Sequence, residues 1–122
     1  MGNTVKPGMS PVEIATLHYE LLMKNDKDEW LKTFRKHHRN QADRYGSSPD
    51  LYWRTGRKYV DKLGYSYKFK LVDEKYSTDD HKKIFFHRLS KEGKPQGSGQ
   101  VPIHIRKDEE DNDEWRVDVA SW

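Results

Sequence analysis

The sequence predicts an α+β fold in which three N-terminal helices pack in the concave face of a curved four-stranded antiparallel sheet. Three observations predict it. Apolar residues recur at intervals of three and four through the first half of the chain and at intervals of two through the second. The chain then closes on Glu114-Trp115-Arg116-Val117-Asp118-Val119-Ala120-Ser121-Trp122, where apolar Trp115, Val117 and Val119 alternate with Arg116 and Asp118. Helices followed by strands, rather than alternating with them, point to α+β.

Each element has its own signal. Ser10-Pro11-Val12-Glu13 joins an N-cap hydroxyl, a Pro at the first helical position and a Glu placed to complete a capping box. The helix that starts there carries Val12, Ile14, Ala15, Leu17, Tyr19, Leu21 and Leu22 on a broad apolar face as far as about Lys24. Asp26-Lys27-Asp28-Glu29 repeats the capping chemistry with acidic residues at a helix N-terminus, ahead of Trp30, Leu31 and Phe34. From Arg35 to Gln41 the sequence is polar, which predicts a frayed helix or a loop. Ser48-Pro49-Asp50 opens the third helix, Leu51, Tyr52, Thr55, Tyr59 and Leu63 give its inward face, and Gly64 ends it. Period-two runs then mark strands around 65–71, 84–89, 101–106 and 115–122. Their inward register reads Tyr65, Tyr67, Phe69, Ile84, Phe86, Val101, Ile103, Ile105, Trp115, Val117 and Val119. Residues 1–9 are expected as a flexible N-terminus and 10–122 as a single domain.

Composition narrows the field. At 122 residues there is room for one core, and although only 33% of residues are apolar, 4 Trp, 7 Tyr and 4 Phe restore burial capacity. No run approaches the ~20 apolar residues of a membrane span, and the N-terminal stretch lacks the apolar centre of a signal peptide, so a soluble, cytoplasmic protein is expected. The absence of Cys excludes disulfides, thiolate catalysis and Cys-based zinc sites. The net charge of +3 hides a partition: residues 32–70 hold 11 Lys or Arg against three Asp, a net +8, while both flanks are acidic. Six of the seven residues from Asp108 to Glu114 are acidic, which reads as a solvated turn.

Three helices before an antiparallel meander, a capped first helix at Ser10 to Lys24 and a closing Glu114-Trp115-Arg116-Val117 strand together resemble the nuclear transport factor 2-like superfamily, the cystatin-like cone that includes SnoaL-like cyclases. The resemblance covers nearly the whole chain. It implies the cone fold, a cavity between helices and sheet, and a second copy packed sheet against sheet. It fixes no activity, because the superfamily holds isomerases, dehydratases, cyclases and non-enzymatic ligand-binding or interaction domains. The expectation is a dimeric small-ligand-binding or interaction domain. The alternative is a lyase or isomerase acting on a cyclic apolar substrate in the cone.

The inward register contains no acid and no His, so no catalytic residue is assigned; His18 is the one candidate base, against its plain reading as a helix residue at the core edge. The expected wall for a small apolar ligand is Tyr19, Trp30, Tyr52, Trp53 and Arg57. Six His invite a metal, but none are paired at i, i+4, so neither metal nor cofactor is expected. The basic middle has cations and rings suited to nucleic acid, yet Tyr52 and Tyr59 fall on the inward face of their helix, which makes nucleic acid an unfavoured partner. The outer sheet face mixes Val72, Phe85, Leu89, Pro102 and Trp122 with basic residues, and Ile84-Phe85-Phe86 is apolar on both sides. That predicts a homodimer interface built from Phe85, His87, His104, Arg106 and Trp122.

Overall fold

The computed structural model describes residues 4–122. It is α+β, with an antiparallel sheet following four helical segments: α1 Pro11–Met23, α2 Lys27–Leu31, α3 Lys36–Arg39 and α4 Ser48–Leu63. The strands are β1 Ser66–Val72, β2 His81–Leu89, β3 Pro95–Asp108 and β4 Glu114–Val119, joined in the order β1-β2-β3-β4. The capping box of α1 forms as its residues predict: Ser10 Oγ accepts from the Glu13 N–H at 3.1 Å and Glu13 Oε1 accepts from the Ser10 N–H at 2.9 Å. Gly64 ends α4 at φ 69, a left-handed conformation that a Cβ would strain.

Where three helices were expected, the second is broken into α2 and α3. The break has a cause. The Val117 N–H donates to the Thr33 carbonyl at 2.7 Å and the Arg35 N–H donates to the Val117 carbonyl at 3.1 Å, so residues 33–35 run as a short parallel neighbour of β4. A backbone committed to a strand cannot also close helical turns. The segment expected as a flexible N-terminus is tied down from Thr4 onward. Thr4 Oγ1 donates to Glu29 at 2.8 Å and the Gly8 N–H donates to Glu114 at 2.9 Å, while residues 1–3 lie outside the described residues.

Among the described residues the register shifts at three points, one between His87 and Leu89 and two more that correct the expected alternation. His104 pairs with Val119 but Ile105 pairs with Val117, so Asp118 is an extra residue and the alternation inverts beyond it. Val119 therefore turns outward, 42% exposed, while Ala120 and Trp122 turn into the core. Trp122, expected on the outer sheet face, is 9% exposed and stacks on His18. Trp115, expected on the inward face, packs against the core but is only half-buried, with the Lys107 ammonium 5.4 Å from its ring centroid. The second inversion lies in β1, where Phe69 pairs with Phe86 and Leu71 with Phe85. Lys70 is the extra residue, so Val72 packs inward and Leu71 joins the outer face. Phe69 stays on the helix side but, at the sheet's edge, remains 43% exposed.

The core lies between α1 and the sheet and holds Ile14, Tyr19, Leu21, Leu22, Trp30, Phe34, Ile84, Phe86, Ile103, Ile105 and Val117. The fourth helix meets it differently from the pattern expected. Leu51 and Leu63 are exposed, and the inward side is Pro49 and Gly56, with Tyr52, Trp53, Tyr59 and Val60 partly buried around them. Gly56 is the point of closest approach. A Cβ there would stand 2.9 Å from both δ-methyls of Leu22 and 3.2 Å from the Trp122 ring. Leu22 is fully buried and has little room to yield. Gly56→Ala is therefore expected to lose about 1–3 kcal/mol from overpacking, outweighing the gain of about 1 kcal/mol in helix propensity. Urea unfolding checks this; a raised midpoint would mean that α1 and α4 can spread at no penalty.

Candidate functional site

The residues expected to line a ligand cavity do come together, but they fill the space between them. Tyr19 and Trp30 are fully buried. Trp30 lies against Trp53 at 4.9 Å between ring centroids, Tyr52 stacks on Phe34 at 6.0 Å, and Tyr19 contacts Tyr67, Phe86 and Trp122 at 4.8, 4.5 and 5.5 Å. Arg57 has a different role from the pocket wall expected of it. Its guanidinium donates to the Leu22 carbonyl at 2.7 Å and pairs with Asp61, so it satisfies the C-terminal carbonyls of α1 from the neighbouring helix. The described residues do form an open groove of about 380 Å³, but it lies along α1 and the N-terminal segment, lined by Lys6, Met9, Val12, Glu13, Thr16 and Glu20 among others. None of the expected wall residues borders it.

His18, the candidate base, is enclosed by four rings: Tyr19, Trp30, Phe34 and Trp122, at centroid distances of 5.6, 5.2, 5.1 and 5.5 Å. Its Nδ1 lies 2.7 Å from Thr33 Oγ1. The Thr33 hydroxyl already donates to the Trp30 carbonyl at 2.6 Å, so it accepts from His18, which fixes the Nδ1–H tautomer. His18 Nε2 has no hydrogen-bond partner among the described residues. Burial without a countercharge pushes its pKa down to about 3. The ring is thus a neutral, packed core group with no route to bulk water, and proton transfer to a substrate is outside its reach.

The face of the sheet away from the helices is more open. Leu71, Phe85 and Pro102 stand in direct register across β1, β2 and β3. Lys83 lies beside them, its ammonium 4.7 Å from the Tyr76 ring centroid and 5.1 Å from that of Phe85. Further along the same face His81 Nε2 and His104 Nδ1 are 2.8 Å apart. Arg106 extends over Asp118 at 3.4 Å. Of the residues expected at an interface, Phe85, His87, His104 and Arg106 share this face, and Trp122 does not. His81, Leu71, Lys83 and Tyr76 were missed: Leu71 because the bulge at Lys70 inverts the alternation, and His81 and Lys83 because the strand begins three residues before its apolar pattern does.

The acidic run is also more than a solvated turn. Asp108 is almost fully buried and accepts from the Lys36 N–H at 2.7 Å, and Asp111 pairs with Arg39 at 2.7 Å and Arg116 at 3.0 Å. It docks α3 on the β3–β4 turn. Among the described residues no group of three or more His, Asp or Glu is placed to hold a metal ion, and no helix is long and apolar enough to cross a membrane. Neither a protein-family model nor a curated protein matches the chain.

His18 makes stability depend on pH. The folded state holds the imidazole neutral while the unfolded chain protonates it below about pH 6.5, so its contribution is intact above that pH and drains away as pH falls towards 3. Between pH 7 and pH 5 the loss from this one group is about 2 kcal/mol. Urea unfolding of the parent and of His18→Leu at both pH values is expected to show that the variant escapes this share of the decline. Equal declines would mean that the ring can protonate in the folded state.

Proposed function

We propose that this chain is a nuclear transport factor 2-like interaction domain that pairs with a second copy of itself, sheet against sheet. In this reading the helices occupy the concave side of a curved four-stranded sheet and the opposite side meets the partner. One observation carries it: the apolar row Leu71, Phe85 and Pro102 spans three strands on the face opposite the buried Ile84, Phe86, Val101 and Ile103. Leu71 is 42% exposed, and so is Val119 further along that face. Burying such a row is favourable in proportion to its area, and the aliphatic stems of Lys68, Lys70 and Lys83 add apolar surface around it.

A filled interior supports an interaction domain over a ligand carrier. Tyr19, Trp30, Trp53 and Trp122 occupy the space where the resemblance implies a cavity, and His18 is sealed among rings. The lyase or isomerase reading needs a proton-transfer group beside a substrate; His18, the candidate base, is enclosed by rings and does not border the groove along α1.

Charge sets the character of the contact. Lys68, Lys70, Lys83 and Arg106 share the face, and the Asp118 carboxylate there is already engaged by Arg35 and Arg106. Two copies therefore attract through apolar burial and repel through like charge, which describes a weak dimer that salt strengthens. Sedimentation equilibrium from about 50 to about 500 mM NaCl is expected to show a dissociation constant that falls several-fold. Phe85→Lys, which removes the central ring and adds a cation, is expected to leave folded monomers. A parent that is monomeric at about 50 μM overturns the reading. So does a dimer that weakens with salt or tolerates Phe85→Lys.

A further inference from the structure

His81 on β2 and His104 on β3 are diagonal neighbours, because His81 pairs with Arg106 and Lys83 pairs with His104. Their ring centroids are 5.0 Å apart, and Nε2 of His81 and Nδ1 of His104 approach to 2.8 Å. An N···N contact of that length requires one proton between the two nitrogens. With both rings neutral, one donates and the other accepts. With both protonated, two N–H groups and two positive charges would face each other across the same gap, and the contact must open.

The surroundings set when that happens. From β2, Lys83 opposes added positive charge, as does Arg106 from β3. Asp118 on β4, itself in contact with Arg35 and His38, favours it, and Asp80 before β2 favours it at His81. Burial is the largest influence on each ring and works with the cations. Both imidazoles are held below the ordinary histidine value. His104 lies two residues from Pro102, and His81 and Lys83 lie on the same strand face as Phe85, so the pair borders the apolar row.

We propose that His81 and His104 form a proton-operated catch on the self-association surface: closed by their shared hydrogen bond at neutral pH, opened by acid, and releasing the second copy as it opens. This rests on the dimer reading above. Opening moves two rings beside the apolar row and adds charge to a face that already meets its like, so both consequences act against the contact. His87 also faces outward but takes no part in the pair, which makes it the natural control.

The test is sedimentation equilibrium at about pH 7.5 and about pH 5 on the parent, on His87→Gln and on the double variant His81→Gln/His104→Gln, whose amides can hydrogen-bond without titrating. For the parent and for His87→Gln, the dissociation constant is expected to rise about tenfold or more on acidification. The double variant should dimerise at the higher pH and lose most of that response. Nitrogen NMR of the parent's imidazoles should show His81 and His104 titrating as a coupled pair in two steps. A dimer whose pH response survives in the double variant overturns the catch alone, as does independent titration of the two rings. A parent that is monomeric at the higher pH overturns the dimer reading and the catch with it.

Discussion

The structure depends on a short stretch of backbone pairing: Val117 with Thr33 and Arg35. Those two hydrogen bonds, of 2.7 and 3.1 Å, join the helical half of the chain to the last strand across more than 80 residues of sequence. They engage the outer edge of β4, which otherwise would present unpaired N–H and C=O groups. They end α2 and fix where α3 begins. They also place the side chains on either side: Thr33 turns inward to receive the His18 proton, while Arg35 turns outward to Asp118 at 3.1 Å. A single constraint thus positions both the buried polar group of the core and the ion pairs at the sheet's rim.

The bulge at Asp118 is the counterpart of that pairing. Without an extra residue there, strict alternation from Val117 would send Val119 inward and leave Ala120 and Trp122 outside. With it, Trp122 enters the core, stacks on His18 and meets the helix at Gly56. Arg88 then secures the carbonyl of Trp122 at 2.8 Å. The entry of Trp122 into the aromatic interior therefore follows from one irregularity in β4.

What the sequence discloses follows from how local each signal is. The capping box at Ser10, the left-handed Gly64 and the antiparallel β-rich second half are set by neighbours within a few residues, and all are legible. So was the outward position of Phe85, because Ile84 and Phe86 leave it no other side. Break points set by distant partners were not. Thr33 to Arg35 reads as fading helix because the strand that captures it lies far along the chain. The bulges at Lys70 and Asp118 carry no Gly or Pro to announce them. Arg57 resembles a pocket residue until the exposed carbonyls of α1 are brought against it. Within the basic stretch that suggested a polyanion partner, Arg35, Arg39, Arg54 and Arg57 are engaged internally by Asp50, Asp61, Asp108, Asp111 and Asp118.

Asp118 also separates the two responses of this molecule to acid. The interaction with His38, and the hydrogen bond and charge of Arg35, outweigh its partial burial and hold its carboxyl far below the usual carboxylate range. It therefore remains ionised throughout the interval in which histidines titrate, and so the bulge it occupies, the Arg35 contact and the pairing of residues 33–35 with β4 keep their charge pattern there. Within that interval the added protons go to imidazoles. Those on the surface can accept them by moving apart, since only a hydrogen bond holds His81 to His104. His18 can accept one only by unfolding, because four rings enclose it. The same chemistry thus has a local outcome on the sheet face and a global one in the core, and the depth of burial decides between them.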